Sequence, residues 1–284
     1  MTSQFESPDN KVRRTSIWRA FTLIELLVVV AVAALLVTTA VPMQLENPAK
    51  KRAIMCMYNC KQLALGYLMY AHDNHNIALA SAANTSGIPV WVPGNAAILP
   101  DAVDGRLITE SPTFYYFQSQ KLFRCPADKS AFVHQGRTTP RNRSYSLNGF
   151  MGPASNPAIE NNRDILKSMT TVSQMNDLNQ ITAPGPAAVF LFVDEHENSI
   201  DDAQFLPFGD FHRYGNQEWL NCPSGRHDNA AGFAFADGHA ELRKWQDSTV
   251  TAVQLGPPPK HGAFPRRAGP ADFAWWTNHI AAFR

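Results

Sequence analysis

Residues 21–41 read FTLIELLVVVAVAALLVTTAV, an apolar run whose only charged residue is Glu25. As a helix rising about 1.5 Å per residue, the run is roughly 31 Å long, the thickness of a bilayer's hydrocarbon core. Lys11, Arg13, Arg14 and Arg19 lie just before it. The excess of positive charge there predicts residues 1–20 in the cytoplasm and everything after Pro42 on the far side of the membrane. An ordinary signal peptide has a shorter apolar core with its small-residue cleavage site behind it, whereas here the small residue, Ala20, comes first. A carboxylate costs ~2.5–3.5 kcal/mol at the centre of a bilayer and less near its edge. Glu25 is therefore expected either at the interface or paired with a positive group on a neighbouring subunit.

Outside this run the chain has a different character. Its 284 residues are 45% hydrophobic and 17% charged, enough to bury a sizeable core, which excludes wholesale disorder. With 25 Lys+Arg against 24 Asp+Glu there is no whole-chain electrostatic grip on nucleic acid. Residues 1–20 hold four of the basic and two of the acidic residues, so the remainder carries 21 against 22. A mean hydropathy typical of soluble proteins averages one apolar rod with a polar domain.

The order of basic leader, Ala20-Phe21-Thr22-Leu23-Ile24-Glu25, apolar helix and Pro42 resembles type IV prepilins and type II secretion pseudopilins. The family usually has Gly where this chain has Ala20. The resemblance implies cleavage after Ala20 by a membrane prepilin peptidase and N-methylation of Phe21. It also implies that Glu25 neutralises the new amino terminus of an adjacent subunit during assembly. The implied partners are that peptidase, other pilin or pseudopilin subunits, the secretion or pilus machinery and the inner membrane. The implied protein is a structural subunit and not an enzyme.

Beyond Pro42, Ile54, Met57, Leu65, Leu68 and Met69 follow helical spacing within a pattern from Ala53 to Ala71. Pro42 and Pro48 are expected to kink the path without ending it. The expected fold class is α+β: a long N-terminal transmembrane helix continues into an amphipathic helix packed on an antiparallel β-sheet domain, as in pilins. Residues 1–20 form the leader, 21–41 the membrane and assembly helix and 42–75 its outer half. A globular periplasmic or extracellular domain covers 76–255, and 256–284 form a Pro/Gly linker with a C-terminal helix.

Within the domain, Asn74 to Asn84 reads as a polar loop and 152–180 as an exposed insertion. Phe114 to Phe117, Ala188 to Val193 and Gly232 to Phe235 read as strands or buried segments, and Arg141 to Met151 as an extended run ending in a turn. The basic run Arg137, Arg141 and Arg143 reads as a solvated turn, with no nucleic-acid partner expected. Trp275 and Trp276 on the last helix are expected to dock against the core.

Cys56, Cys60, Cys125 and Cys222 are an even count, compatible with disulfides in an exported domain. Cys56 and Cys60 share a helix face but are poorly aimed at each other, so one of them is expected to clip the helix to Cys125 in the RCPAD segment, with free buried thiols as the alternative. Zinc competes, but Cys-x3-Cys without a matching second pair is a weak zinc signal.

The richest polar constellation lies late: Asp194-Glu195-His196-Glu197, Ser199 to Asp202, His212, and Arg226-His227 through Asp237-Gly238-His239. Gly232 to Phe235 alternates as a strand, Asp237-Gly238 makes a turn in which both residues are expected at positive φ, and Ala240 to Trp245 returns. His227 then sits at the opposite end of the hairpin. One expectation is that His227 and Asp237 simply cap loops. The other is that Asp194, Glu195, His227, Asp237 and His239 converge on a divalent cation, with the carboxylates suiting Ca²⁺, Mg²⁺ or Mn²⁺ and the histidines adding Zn²⁺. His227, nine intervening residues and Asp237-Gly238 resemble the prepilin-associated H-x9-DG domain of planctomycete-type bacteria. VDEHENSIDD, RCPAD and RSYSLNGFM also resemble blocks of that family. Two other functions fit the anchored domain: capture of a ligand such as a polysaccharide or metal, and metal-dependent hydrolysis around Asp194, Glu195, His227 and Asp237.

Overall fold

The structure, a computed structural model, describes residues 22–44, 47–81, 87–152, 175–182, 184–207, 221–246 and 269–279. The leader with Ala20 and Phe21, most of the expected insertion (153–174), His212 and the Pro/Gly linker lie outside these residues. The chain divides into two units, Met1–Glu46 and Asn47–Arg284.

In the first unit, α1 runs over Leu23–Gln44. Its start is a capping box. Thr22 N donates to Glu25 Oε2 at 2.8 Å, and Glu25 N donates to Thr22 Oγ1 at 3.3 Å. Two N–H groups that a helix start leaves unpaired are thereby satisfied. Side chains from Thr22 to Ala34 are exposed, while those of 35–46 lie outside the description. Among the described residues no helix is long and apolar enough to cross a membrane.

The second unit opens on α2, Pro48–Asp73. Asn47 is non-helical, and its side chain accepts from Ala49 N at 3.0 Å with Pro48 at the first helical position. A capped helix start therefore lies at Pro48. A residue preceding proline is driven out of the helical region, and proline has no N–H to lose there.

The fold is α+β. β3 (Tyr145–Asn148), β4 (Phe190–Asp194), β5 (Gln204–Phe205), β6 (Ala230–Phe235) and β7 (Ala240–Lys244) form one sheet in the order β5-β3-β4-β6-β7. The sheet is mixed rather than purely antiparallel, because β3 and β5 pair in parallel. A separate hairpin pairs β1 (Ala131–His134) with β2 (Arg137–Pro140).

α2 packs on β4, β6 and β7. Its buried residues are Cys56, Asn59, Cys60, Leu63, Ala64, Gly66, Tyr67 and Ala71. The expected apolar stripe lies mostly elsewhere: Ile54, Leu65 and Met69 are exposed, with Tyr58 between them. Small residues make the inner face because helix and sheet approach closely there, and Gly232 on β6 leaves room for the sulfurs of Cys56 and Cys60.

A register irregularity between Phe190 and Phe192 turns the two rings to opposite faces of the sheet. Phe192 meets Tyr67 and Trp91 on the α2 side. Phe190 meets Phe233 and Trp276 on the other. That second face is covered by α5, Pro270–His279, where Trp276 is fully buried and Trp275 lies against Phe233 and Trp245, as expected of the pair.

Three other expectations change. Phe114–Phe117 is a helical turn, α4, that follows another short helix, α3 (Arg106–Thr109). Helical spacing turns Phe114 and Phe117 onto the core together, while Tyr116 donates its hydroxyl to Asp73 at 2.9 Å. The loop after α2 is not all polar surface, since Ala78, Leu79 and Ala80 are fully buried. Arg141 and Arg143 are buried instead of solvated: Arg143 Nη2 donates to Asp201 O at 2.6 Å, and Arg141 lies over the Phe132 ring.

Candidate functional site

β3 and β4 pair so that Tyr145 stands opposite Asp194 and Ser146 opposite Val193. Alternation along a strand sends neighbouring side chains to opposite faces. Asp194 and Tyr145 therefore face α2, whereas Glu195 and Ser146 face away.

On the α2 side four buried groups from four segments meet: Cys56 of α2, Cys125 of RCPAD, Asp194 at the end of β4, and His227 just before β6. Their sulfur, nitrogen and oxygen atoms all lie within 4.8 Å of one another. Cys125 Sγ is 3.3 Å from His227 Nε2. Asp194 Oδ2 is 3.6 Å from Cys56 Sγ and 3.6 Å from His227 Nε2. The surrounding contacts orient these groups. Ser224 donates its hydroxyl to Asp194 Oδ2 at 2.6 Å, Arg226 donates Nη1 to Asp194 Oδ1, and Tyr145 donates its hydroxyl to Cys56 Sγ at 3.4 Å.

Arg226 is the hub of a wider network. Its Nη2 donates to Glu195 O at 2.8 Å and Glu197 Oε2 at 2.9 Å and lies 3.9 Å from Asp128 Oδ2. Burial raises the Asp128 carboxyl, but Arg226 and hydrogen bonds from Ser144 and Ser130 outweigh it and hold the pKa below the usual range. Burial pushes the Cys56 thiol well up, and Cys125 is raised first by its contact with Cys56 and then by burial. Burial lowers His227, but its hydrogen bond to Cys125 and the nearby charges carry its pKa above the ordinary value.

Glu195 has a separate set of partners. Ser146 Oγ and Ser199 Oγ donate to its carboxyl at 2.5 and 2.7 Å, and Asn221 Nδ2 donates at 3.0 Å. Asp237 and His239 lie at the far end of the hairpin. β4 runs antiparallel to β6, with Phe190 opposite Phe235, so Asp194 and the Asp237-Gly238 turn are at opposite ends, a strand's length of about 17 Å apart. There Asp237 Oδ1 accepts from His239 N at 3.0 Å and contacts His239 Nδ1 at 2.5 Å, both residues being partly exposed. Gly238 alone has positive φ (+87°), and Gly238 N donates to Phe235 O. That is a one-glycine turn with a bulge, not one needing two left-handed residues.

Of the five cation candidates, then, the structure brings Asp194 and His227 together and leaves Glu195, Asp237 and His239 apart. It adds Cys56 and Cys125, which stand as disulfide candidates with Cys60 in the sequence. All four cysteines are buried free thiols, and Cys60 and Cys222 lie outside the four-atom cluster. Strand alternation was the available clue that Asp194 and Glu195 cannot share a site. The pattern Thr-x-x-Glu ahead of an apolar run likewise marked the capping box.

The four cluster residues are buried, and their donor atoms are chemically suited to hold a cation or, through the two sulfurs, to form a disulfide. Compared with protein-family models, with curated proteins and with solved structures, the chain matches none.

Proposed function

We propose that this chain is a membrane-anchored, pseudopilin-like structural subunit, cut after Ala20 by a prepilin peptidase and assembled into a type II secretion or type IV pilus-like fibre. In this reading it is held in the inner membrane by one span, with its amino terminus cytoplasmic and its α+β domain periplasmic or extracellular. The observation that carries the reading is the sequence order of basic leader, Ala20-Phe21-Thr22-Leu23-Ile24-Glu25 and apolar run.

Two structural features support it. Apart from Glu25, the described side chains of α1 are exposed apolar groups, which need lipid or neighbouring rods as their solvent. α2 buries one face in its own sheet yet leaves Ile54, Tyr58, Leu65 and Met69 exposed at helical spacing, a second apolar stripe for a neighbouring subunit.

The capping box gives Glu25 a local role, so a test must separate that role from its charge. Gln at the same position keeps the reciprocal cap and removes the charge. Glu25→Gln is expected to insert in the membrane normally and fail to co-assemble. Normal co-assembly of Glu25→Gln overturns the proposed role of the charge.

A further inference from the structure

We propose that Cys56, Cys125, Asp194 and His227 bind one zinc ion as a closed, structural site that ties α2 to the sheet. This does not depend on the fibre reading. A zinc ion bound at about 2.0–2.3 Å by a tetrahedron of N, O and S ligands sets those ligands about 3.3–3.8 Å from one another. Cys125 Sγ to His227 Nε2 is 3.3 Å, and Asp194 Oδ2 is 3.6 Å from both Cys56 Sγ and His227 Nε2. Three edges of the tetrahedron are thus already at length.

The donor set selects the metal. Two sulfurs, an imidazole and one carboxylate form a soft, four-point site, whereas Ca²⁺ takes about six to eight oxygens. Zinc binding releases the two thiol protons, and the ring proton of His227 when the imidazole is charged, to solvent as the Zn–S and Zn–N bonds form. Two thiolates, the Asp194 carboxylate and Zn²⁺ sum to one negative charge, which Arg226, its side chain 9% exposed, offsets through Asp194 Oδ1 while it also pairs with Glu197. Ser224, Arg226 and Tyr145 supply the outer contacts that fix ligand orientation in metal sites. Because all four ligands are protein side chains and all are buried, no coordination position is left for water or substrate, and the site is structural.

A Cys56–Cys125 disulfide is the competing chemistry. It would draw the sulfurs to about 2.05 Å and leave Asp194 and His227 facing a spent pair.

The test uses the full chain purified in detergent micelles without chelator. Metal content is read by mass spectrometry and cysteine state by alkylation before and after reduction. The expected result is about one zinc per chain, a lower Tm after stripping with a chelator, and recovery on adding zinc back. Cys56→Ser and Asp194→Asn are expected to lose the metal, and Cys222→Ser to keep it. Should the ligand variants not fold, cobalt(II) loaded into the unsubstituted chain is expected to give a thiolate-to-metal absorption band. A zinc-free chain with Cys56 joined to Cys125, four alkylatable thiols after incubation with zinc, or zinc retained by both ligand variants overturns the proposal.

Discussion

Ser146 Oγ donates to Glu195 Oε2 across 2.5 Å in a fully buried pocket behind the sheet. Burial, and then the charge of Asp201, raise the Glu195 pKa from an ordinary 4.5 to about 8. The folded chain therefore keeps a proton that the unfolded chain releases above its ordinary pKa. Its contribution to stability is full below about pH 4.5, falls as pH rises toward about 8 and is level beyond, a loss on the order of a few kcal/mol. In Glu195→Gln, Oε1 still accepts from Ser199 and Asn221, while the Ser146 hydroxyl, a donor in the parent, turns to accept from Nε2. Urea unfolding across this range is expected to show the variant without that decline, and more stable than the parent at the alkaline end. Parallel pH profiles for the two chains would contradict the assignment.

Gly232 lets β6 approach the sulfurs of α2. A β-carbon there would sit 3.0 Å from Cys56 Sγ and 3.2 Å from Cys60 Sγ. Gly232→Ala is expected to cost about 1–3 kcal/mol by overpacking, with part of it recovered when Cys60→Ala is added. Denaturant midpoints of the single and double variants check this, and an unchanged midpoint for the single variant refutes it.

Trp276 fixes α5 to the sheet through the rings of Phe190, Phe205, Phe233 and Trp245 at 5.2–5.8 Å. Trp276→Ala is expected to destabilise by about 3–5 kcal/mol, read by chemical unfolding. A loss below about 1 kcal/mol would mean that α5 contributes little to the core.

Ile54 and Met69 lie on the outer side of α2, 49% and 51% exposed. Ile54→Lys and Met69→Lys are expected to leave folding stability within about 0.5 kcal/mol of the parent and to reduce cross-linking between subunits in membranes. Unfolding curves and cross-linking yields measured on the same variants separate the two effects. Unchanged cross-linking removes α2 from the assembly surface.

How much of this was legible depended on the residues. Gly232 to Phe235 and Ala240 to Trp245 announced their hairpin through alternation around Asp237-Gly238, and β6 and β7 follow it closely. α2 was legible as a helix, but its inner face was not: large apolar residues define a stripe in sequence, while close packing selected Cys56, Cys60, Ala64 and Gly66. Phe114 to Phe117 has strand-like composition, and its helical turn is set by the tertiary contacts of its two phenylalanines. At the site, Asp194 and His227 were found from sequence. Their partners were not, because Cys56 and Asp194, 138 residues apart, meet only through the packing of α2 on β4.

The proposed role in assembly rests on one covalent event, cleavage after Ala20, and the mature amino terminus measured by mass spectrometry on the chain isolated from its native membrane tests it most directly. The account predicts a chain that begins with N-methylated Phe21. A chain that begins at Met1 would contradict it.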